Sequence, residues 1–193
     1  KKVKIKKLIY AASSSCYGTP KKLPTSEKDR IDLKNPYAVT KFIGEEIIMK
    51  YAEMFKMPNL SFRFFNVYGA RLNVSGQYGA VISNFLSQTK NKKPLTIVGN
   101  GKQTRDFIHV DDLANAFIKV LKSKHTNKIY NLGSGKKTSI NYIASIFNGK
   151  KKFIANRPGE PKDSLANISK LKKDLKWRPK ISIETGITKL LRN

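Results

Sequence analysis

Two groups of side chains in this 193-residue sequence have the types and spacing to move protons. The first is Ser13, followed by Ser14 and Ser15, at the end of the apolar run 7–12 (KLIYAA). Open α/β sheets present ligands to the carboxyl ends of their strands, so a hydroxyl at that point faces the place where a ligand sits. The second is Tyr37-Ala38-Val39-Thr40-Lys41. A Tyr and a Lys at i and i+4 lie on one helix face. An ammonium so placed stabilises a phenolate, and a Ser hydroxyl beside it completes a pair able to take a proton from a substrate hydroxyl.

Holding these groups in place requires strands that alternate with helices. Residues 7–12 read as a short buried strand, and 18–34, rich in Pro, Ser, Lys and Asp, as a loop. Asn35-Pro36 starts a helix, with Pro in the first turn where its missing N–H costs little. Ile43, Ile47, Tyr51 and Met54 mark its apolar face, which predicts a helix to about Phe55 packed through those residues. Residues 60–67 (LSFRFFNV) read as one strand. A helix starts over 80–86, and short strands at 95–98 and 106–110 flank a Gly-Asn-Gly turn. Residues 111–121 read as a helix with Asp111 and Asp112 as its caps and dipole partners. A strand at 128–132, a helix at 142–147 and a strand at 152–155 follow, then two helical stretches broken by Trp177-Arg178-Pro179. This order predicts an α/β fold with a mostly parallel sheet.

Composition removes other classes. One Cys excludes a disulfide scaffold and a Cys-based zinc site, and Cys16 reads as a packing residue. No metal site is expected. No apolar run approaches the ~18 residues of a membrane span, so a cytoplasmic location and no membrane partner are expected. The formal charge of +26 suggests nucleic acid. Yet only seven of the 39 basic residues are Arg, the Lys are scattered, and aromatics do not interleave with them. A solvated Lys-rich surface with no specific nucleic-acid partner is the reading. YNLGSGKKTS lacks the phosphate-loop pattern, and Gly99-Asn100-Gly101 is a turn.

Over essentially its whole length the chain resembles the extended short-chain dehydrogenases that modify nucleotide sugars, above all the UDP-hexose 4-epimerases. The residues that carry the resemblance are AASSSCYG (11–18), NPYAVTK (35–41), RFFNVYGAR (63–71), PLTIVGNGKQTRDFIHVDDLANAF (94–117), YNLGSG (130–135), RPGEPKDS (157–164) and LKWRPKISIETGI (175–187). The resemblance implies a partial Rossmann-like parallel sheet with a small α+β substrate-binding domain. Residues 1–68 would form the later part of the NAD-binding domain. Residues 69–193 would mainly bind the nucleotide sugar, with about 106–122 returning to the first domain. It implies Ser13, Tyr37 and Lys41 as catalytic residues, with NAD held by Ala11, Tyr37, Lys41 and Phe64. It implies substrate contacts from Ser13, Asn66, Leu95, Ile97, Arg105, Arg157, Glu160 and Ser164. Leu95 and Ile97 would belong to a strip along the uracil, Arg105 and Arg157 would fork the diphosphate, and a small Ser164 would leave room for an N-acetyl group at sugar C2.

The resemblance further implies C4 epimerisation through a 4-keto sugar, in an enzyme that is a homodimer when complete. Related dehydratases and decarboxylases carry an acid in the two positions after the catalytic Ser or Thr. Here those are Ser14 and Ser15, which favours redox without elimination. A dehydratase, a decarboxylase, a 4-keto reductase or a noncatalytic basic fragment are the rival readings. The sequence contains no G-x-x-G-x-x-G loop for the NAD pyrophosphate. The chain is therefore expected to be the C-terminal part of such an enzyme, with an unpaired edge on its first strand and no retained NAD or turnover of its own.

Overall fold

The computed structural model describes residues 5–72, 81–156 and 161–192. Three parallel strands, β1 (Leu8–Ser13), β2 (Asn59–Phe64) and β7 (Lys128–Leu132), form the main sheet in the order β1-β2-β7. Helix α1 (Pro36–Met54) crosses from β1 to β2. Among the described residues β1 pairs only with β2, so its outer edge is open, as expected.

Strand β2 is buried on both faces, and its alternation sorts two environments. Phe62 and Phe64 face Phe117 of α3 (Val110–Lys122), with ring centroids 5.1 and 6.0 Å away. Ser61 and Arg63 face Glu45 of α1. The stretch 60–67 is not one strand. At Phe65 the chain changes partners: the Phe65 amide donates to the Leu132 carbonyl, and the Asn66 amide to that of Asp106. β3 (Asn66–Tyr68) then pairs with β6 (Phe107–His109) outside the main sheet. This step carries the end of β2 towards the second half of the molecule.

Smaller pairings complete that half: β4 (Leu95–Val98) with β9 (Lys151–Ile154), and β5 (Thr104–Arg105) with β8 (Thr138–Ser139). With α2 (Val81–Lys90), α4 (Ile140–Phe147) and α6 (Ile183–Arg192) they enclose an apolar core that includes Tyr68, Phe85, Leu95, Ile97, Phe147 and Ile187. The main sheet has its own core, which also takes Leu171 and Leu175 of α5 (Ser169–Leu175) and Trp177. Residues 106–122 divide between the two, with Ile108, Ala116 and Val120 in the first and Phe107 in the second.

Two expectations are corrected. The apolar row Ile43, Ile47, Tyr51 and Met54 points outward, at 49–75% exposure, and α1 buries Ala38, Glu45 and Ala52 instead. Close approach to the sheet selects small residues on the inner face, so apolar periodicity pointed to the wrong side. Asp111 and Asp112 lie in the first turn of α3, as expected of dipole partners, but they do not cap it. Its N-cap is His109, whose Nδ1 accepts from the Asp111 amide. The buried Asp112 carboxylate accepts from the backbone of Lys180 and Ile181, fastening the chain ahead of α6. No helix among the described residues is long and apolar enough to cross a membrane.

Candidate functional site

Ser13 ends β1 and caps the short 3₁₀ turn Ser14–Tyr17, its Oγ accepting from the Ser15 amide at 3.2 Å. That bond uses a lone pair and leaves the hydroxyl proton to donate. Asn35 caps α1 through the Ala38 amide at 2.9 Å, and Pro36 enters the first turn, which puts Tyr37 at the helix start with its ring about half exposed. One turn on, Lys41 Nζ donates to the Ala11 carbonyl at 3.1 Å and lies 5.8 Å from the Tyr10 ring centroid. A Cβ at Gly44 would collide with the Tyr10 hydroxyl, so Gly44 lets α1 lie close enough to β1 for that reach.

The strand ends deliver the rest. Phe64 closes β2 and Asn66 opens β3, its Nδ2 donating to the Asp106 carbonyl. Arg105 on β5 donates through Nη1 to the carbonyls of Thr104 and Lys162. The Ser164 amide donates to the Thr104 carbonyl, and Thr104 Oγ1 to Asp163 Oδ1 at 2.5 Å. That hydroxyl bond holds the Asp163 carboxyl below its ordinary range. The segment is anchored by Asp106, fully buried, whose carboxylate accepts from the amides of Ser134, Gly135 and Ala166.

Ser13, Tyr37, Phe64, Asn66, Arg105 and Ser164 all line one cavity of ≈ 330 Å³. A second cavity of ≈ 570 Å³, lined by Val98, Gly99, Asn100, Gln103 and Asn156 among others, shares Arg105 and Pro161 with the first. Ser13 and Tyr37 thus line the first cavity and Arg105 is common to both, a set of groups that suits a ligand with a neutral head, an anionic linker and a further ring.

Other expected residues are placed differently. Leu95 and Ile97 are fully buried in the second core and line neither cavity, because β4 alternates and sends both side chains inward. Ala11 contributes its carbonyl to Lys41. Arg157 and Glu160 lie outside the described residues. Cys16 is buried, and burial pushes its thiol up to about 11, in keeping with a packing role. Tyr17, Thr25 and Asp163 line the first cavity without having been anticipated. Asp163 could have been found beside Ser164, whereas Thr25 lies in a loop with no periodicity to place it.

Residues 1–133 match the family described as "NAD dependent epimerase/dehydratase family". The UDP-glucuronate 4-epimerase of Thermodesulfobacterium geofontis is 35% identical over 191 residues, covering 95% of this chain and 57% of that protein. Among solved structures, the UDP-N-acetylglucosamine 4-epimerase of Methanobrevibacter ruminantium, in complex with UDP-N-acetylmuramic acid, has a TM-score of 0.92 at 31% identity. The alignment covers 97% of this chain and 62% of that one. The UDP-glucuronic acid 4-epimerase of Bacillus cereus, in complex with UDP-glucuronic acid and NAD, has a TM-score of 0.90 at 32% identity, covering 98% and 62%. The chain spans 44–64% of the length of the curated relatives it matches here.

Proposed function

Because the chain belongs to the NAD dependent epimerase/dehydratase family, we propose that it supplies the substrate site and the proton-transfer residues of a UDP-hexose 4-epimerase. The observation that carries this reading is the convergence of Ser13, Tyr37, Asn66, Arg105 and Ser164 on one cavity. The relatives named for 4-epimerisation of UDP-sugars support it.

The donor set fits the nicotinamide-ribose end of NAD: a phenol and an ammonium one turn apart on α1, with Lys41 steered there by the Ala11 carbonyl, and Phe64 at the cavity wall. When bound, NAD supplies reversible hydride acceptance. The chain's residues do the rest. Tyr37 takes the proton from the sugar 4-hydroxyl and returns it after the sugar has presented its other face. Ser13 donates a hydrogen bond to the same oxygen. Lys41, held by the Ala11 carbonyl one turn beyond Tyr37, binds the ribose. Arg105 binds the diphosphate between the two cavities, which puts the hexose in the first and the uridine in the second. The small Ser164 leaves room at sugar C2 for an N-acetyl group. Ser14 and Ser15, in place of an acid beside Ser13, favour redox without elimination. The outward apolar row of α1 supports a homodimer for the whole enzyme.

The test is C4 epimerisation of UDP-glucose and UDP-N-acetylglucosamine by the protein that carries this chain, supplied with NAD and followed by NMR. Tyr37→Phe is expected to lower kcat by about 10²–10⁴-fold. A variant as fast as the wild type overturns the assignment.

A further inference from the structure

Behind the first cavity runs a buried polar chain that the proposed reaction does not use. Glu45 (1% exposed) lies on α1 about two turns beyond Tyr37, and Arg63 (3% exposed) on β2. The guanidinium forks Glu45 through Nε at 3.0 Å and Nη2 at 2.5 Å, and Ser61 Oγ donates to the same carboxylate. The other arm, Nη1, donates to the Tyr17 hydroxyl at 2.9 Å. Tyr17 Oη donates in turn to Asn131 Oδ1 at 2.7 Å, and Asn131 Nδ2 donates to the Thr25 carbonyl at 2.9 Å. Thr25 then joins the far wall: its amide donates to the Leu165 carbonyl, and its carbonyl accepts from the Asn167 amide.

Each link belongs to a different part of the site. Glu45 is on the helix that bears Tyr37 and Lys41, Tyr17 closes the turn that starts at Ser13, and Thr25 bonds to the residue next to Ser164. Tyr17 and Thr25 are themselves in the cavity wall. A buried ion pair adds little net stability over an apolar substitute of equal volume. What it adds is direction: the fork admits one arrangement of α1, β2 and the turn.

We infer that Tyr17 and Arg63 are positioning residues that set the distance between the proton-transfer groups and the sugar-facing wall, and so determine sugar binding without touching the nucleotide. This rests on the UDP-hexose reading of the site. The nucleotide cavity contains none of these residues, so the inference separates the two ends of the ligand.

Calorimetric titration of the 193-residue chain with UDP and with UDP-glucose tests it. Tyr17→Phe keeps the ring and removes only the hydroxyl link. It is expected to weaken UDP-glucose binding about tenfold while changing UDP binding less than twofold. Arg63→Lys, which keeps a charge for Glu45 but cannot span to Tyr17 as well, is expected to do the same. Circular dichroism melts identify any variant that fails to fold. Equal loss for both ligands in folded variants, or no loss for either, overturns the inference. Failure of the wild-type chain to bind UDP at all overturns the functional reading itself, and with it this inference.

Discussion

The two cores of this molecule are built on opposite terms. The first contains a charged fork, a phenol and an amide bonded end to end within it. The second is mainly apolar, with Leu95, Ile97, Phe85 and Ile143 fully buried and isolated polar groups such as Ser83 and the Tyr68 hydroxyl among them. On the proposed function, the difference follows the chemistry each half would support. Proton transfer to a hydroxyl needs reacting groups held within a fraction of an ångström, and directional bonds do that better than packing. A nucleotide anchored by its diphosphate needs a stiff platform, which close-packed side chains supply.

The sharpest way to break that comparison is to remove the fork. Arg63→Met leaves Glu45 and Tyr17 buried without their partner and is expected to cost about 3–5 kcal/mol, measured by urea unfolding. Ile97→Ala in the second core leaves a cavity and is expected to cost about 2–5 kcal/mol, with UDP and UDP-glucose binding affected alike. If the Ile97 variant discriminates between the two ligands and the Arg63 variant does not, the division of labour is reversed. Asp112→Ala frees two backbone amides ahead of α6 and is expected to cost about 1–3 kcal/mol, visible as faster amide exchange at Lys180 and Ile181. The loss of the Asn35 cap in Asn35→Ala is smaller, about 1 kcal/mol, but falls at Tyr37. It should slow epimerisation more than it lowers the melting temperature.

The smallest effect concerns pH. Asp174 joins α5 to β7 through Lys128 Nζ at 2.7 Å and the Tyr130 hydroxyl. The Lys128 bond holds the Asp174 carboxyl below its usual value. A carboxyl depressed in the folded state contributes stability that is complete above its unfolded pKa of about 4 and is lost as pH falls through the lower folded value. Asp174→Asn should therefore lower stability above about pH 4, flatten the acid limb below it, and match the wild type only at pH values under the depressed folded value, as measured by urea unfolding over a pH series. An unaltered acid limb contradicts the role.

What could be read in the sequence, and what could not, follows the same division. The placement of Ser13, Tyr37 and Lys41 was legible because strand end, Asn-Pro helix start and i, i+4 spacing are local features: Ser13 and Tyr37 line the first cavity, and Lys41, one turn on, reaches the Ala11 carbonyl. The outward row of α1 was misread because periodicity reports an apolar face without saying what it meets. Leu95 and Ile97 were expected at the ligand on resemblance alone, whereas strand alternation sends them into the core. The Glu45–Arg63–Tyr17–Asn131 chain was invisible. Its members are distant along the chain, and nothing in a single sequence couples an acid on a helix to an arginine on the next strand.

The proposed function makes the two adjoining cavities a nucleotide-sugar site and the high charge a solvated surface. Titrating the chain with UDP, and separately with a DNA duplex over a salt series, tests it directly. The expected result is saturable one-site UDP binding, weakened about tenfold or more in Arg105→Ala, with DNA affinity that is weak at physiological salt. Absence of UDP binding, together with tight DNA affinity that falls steeply with salt, would contradict it.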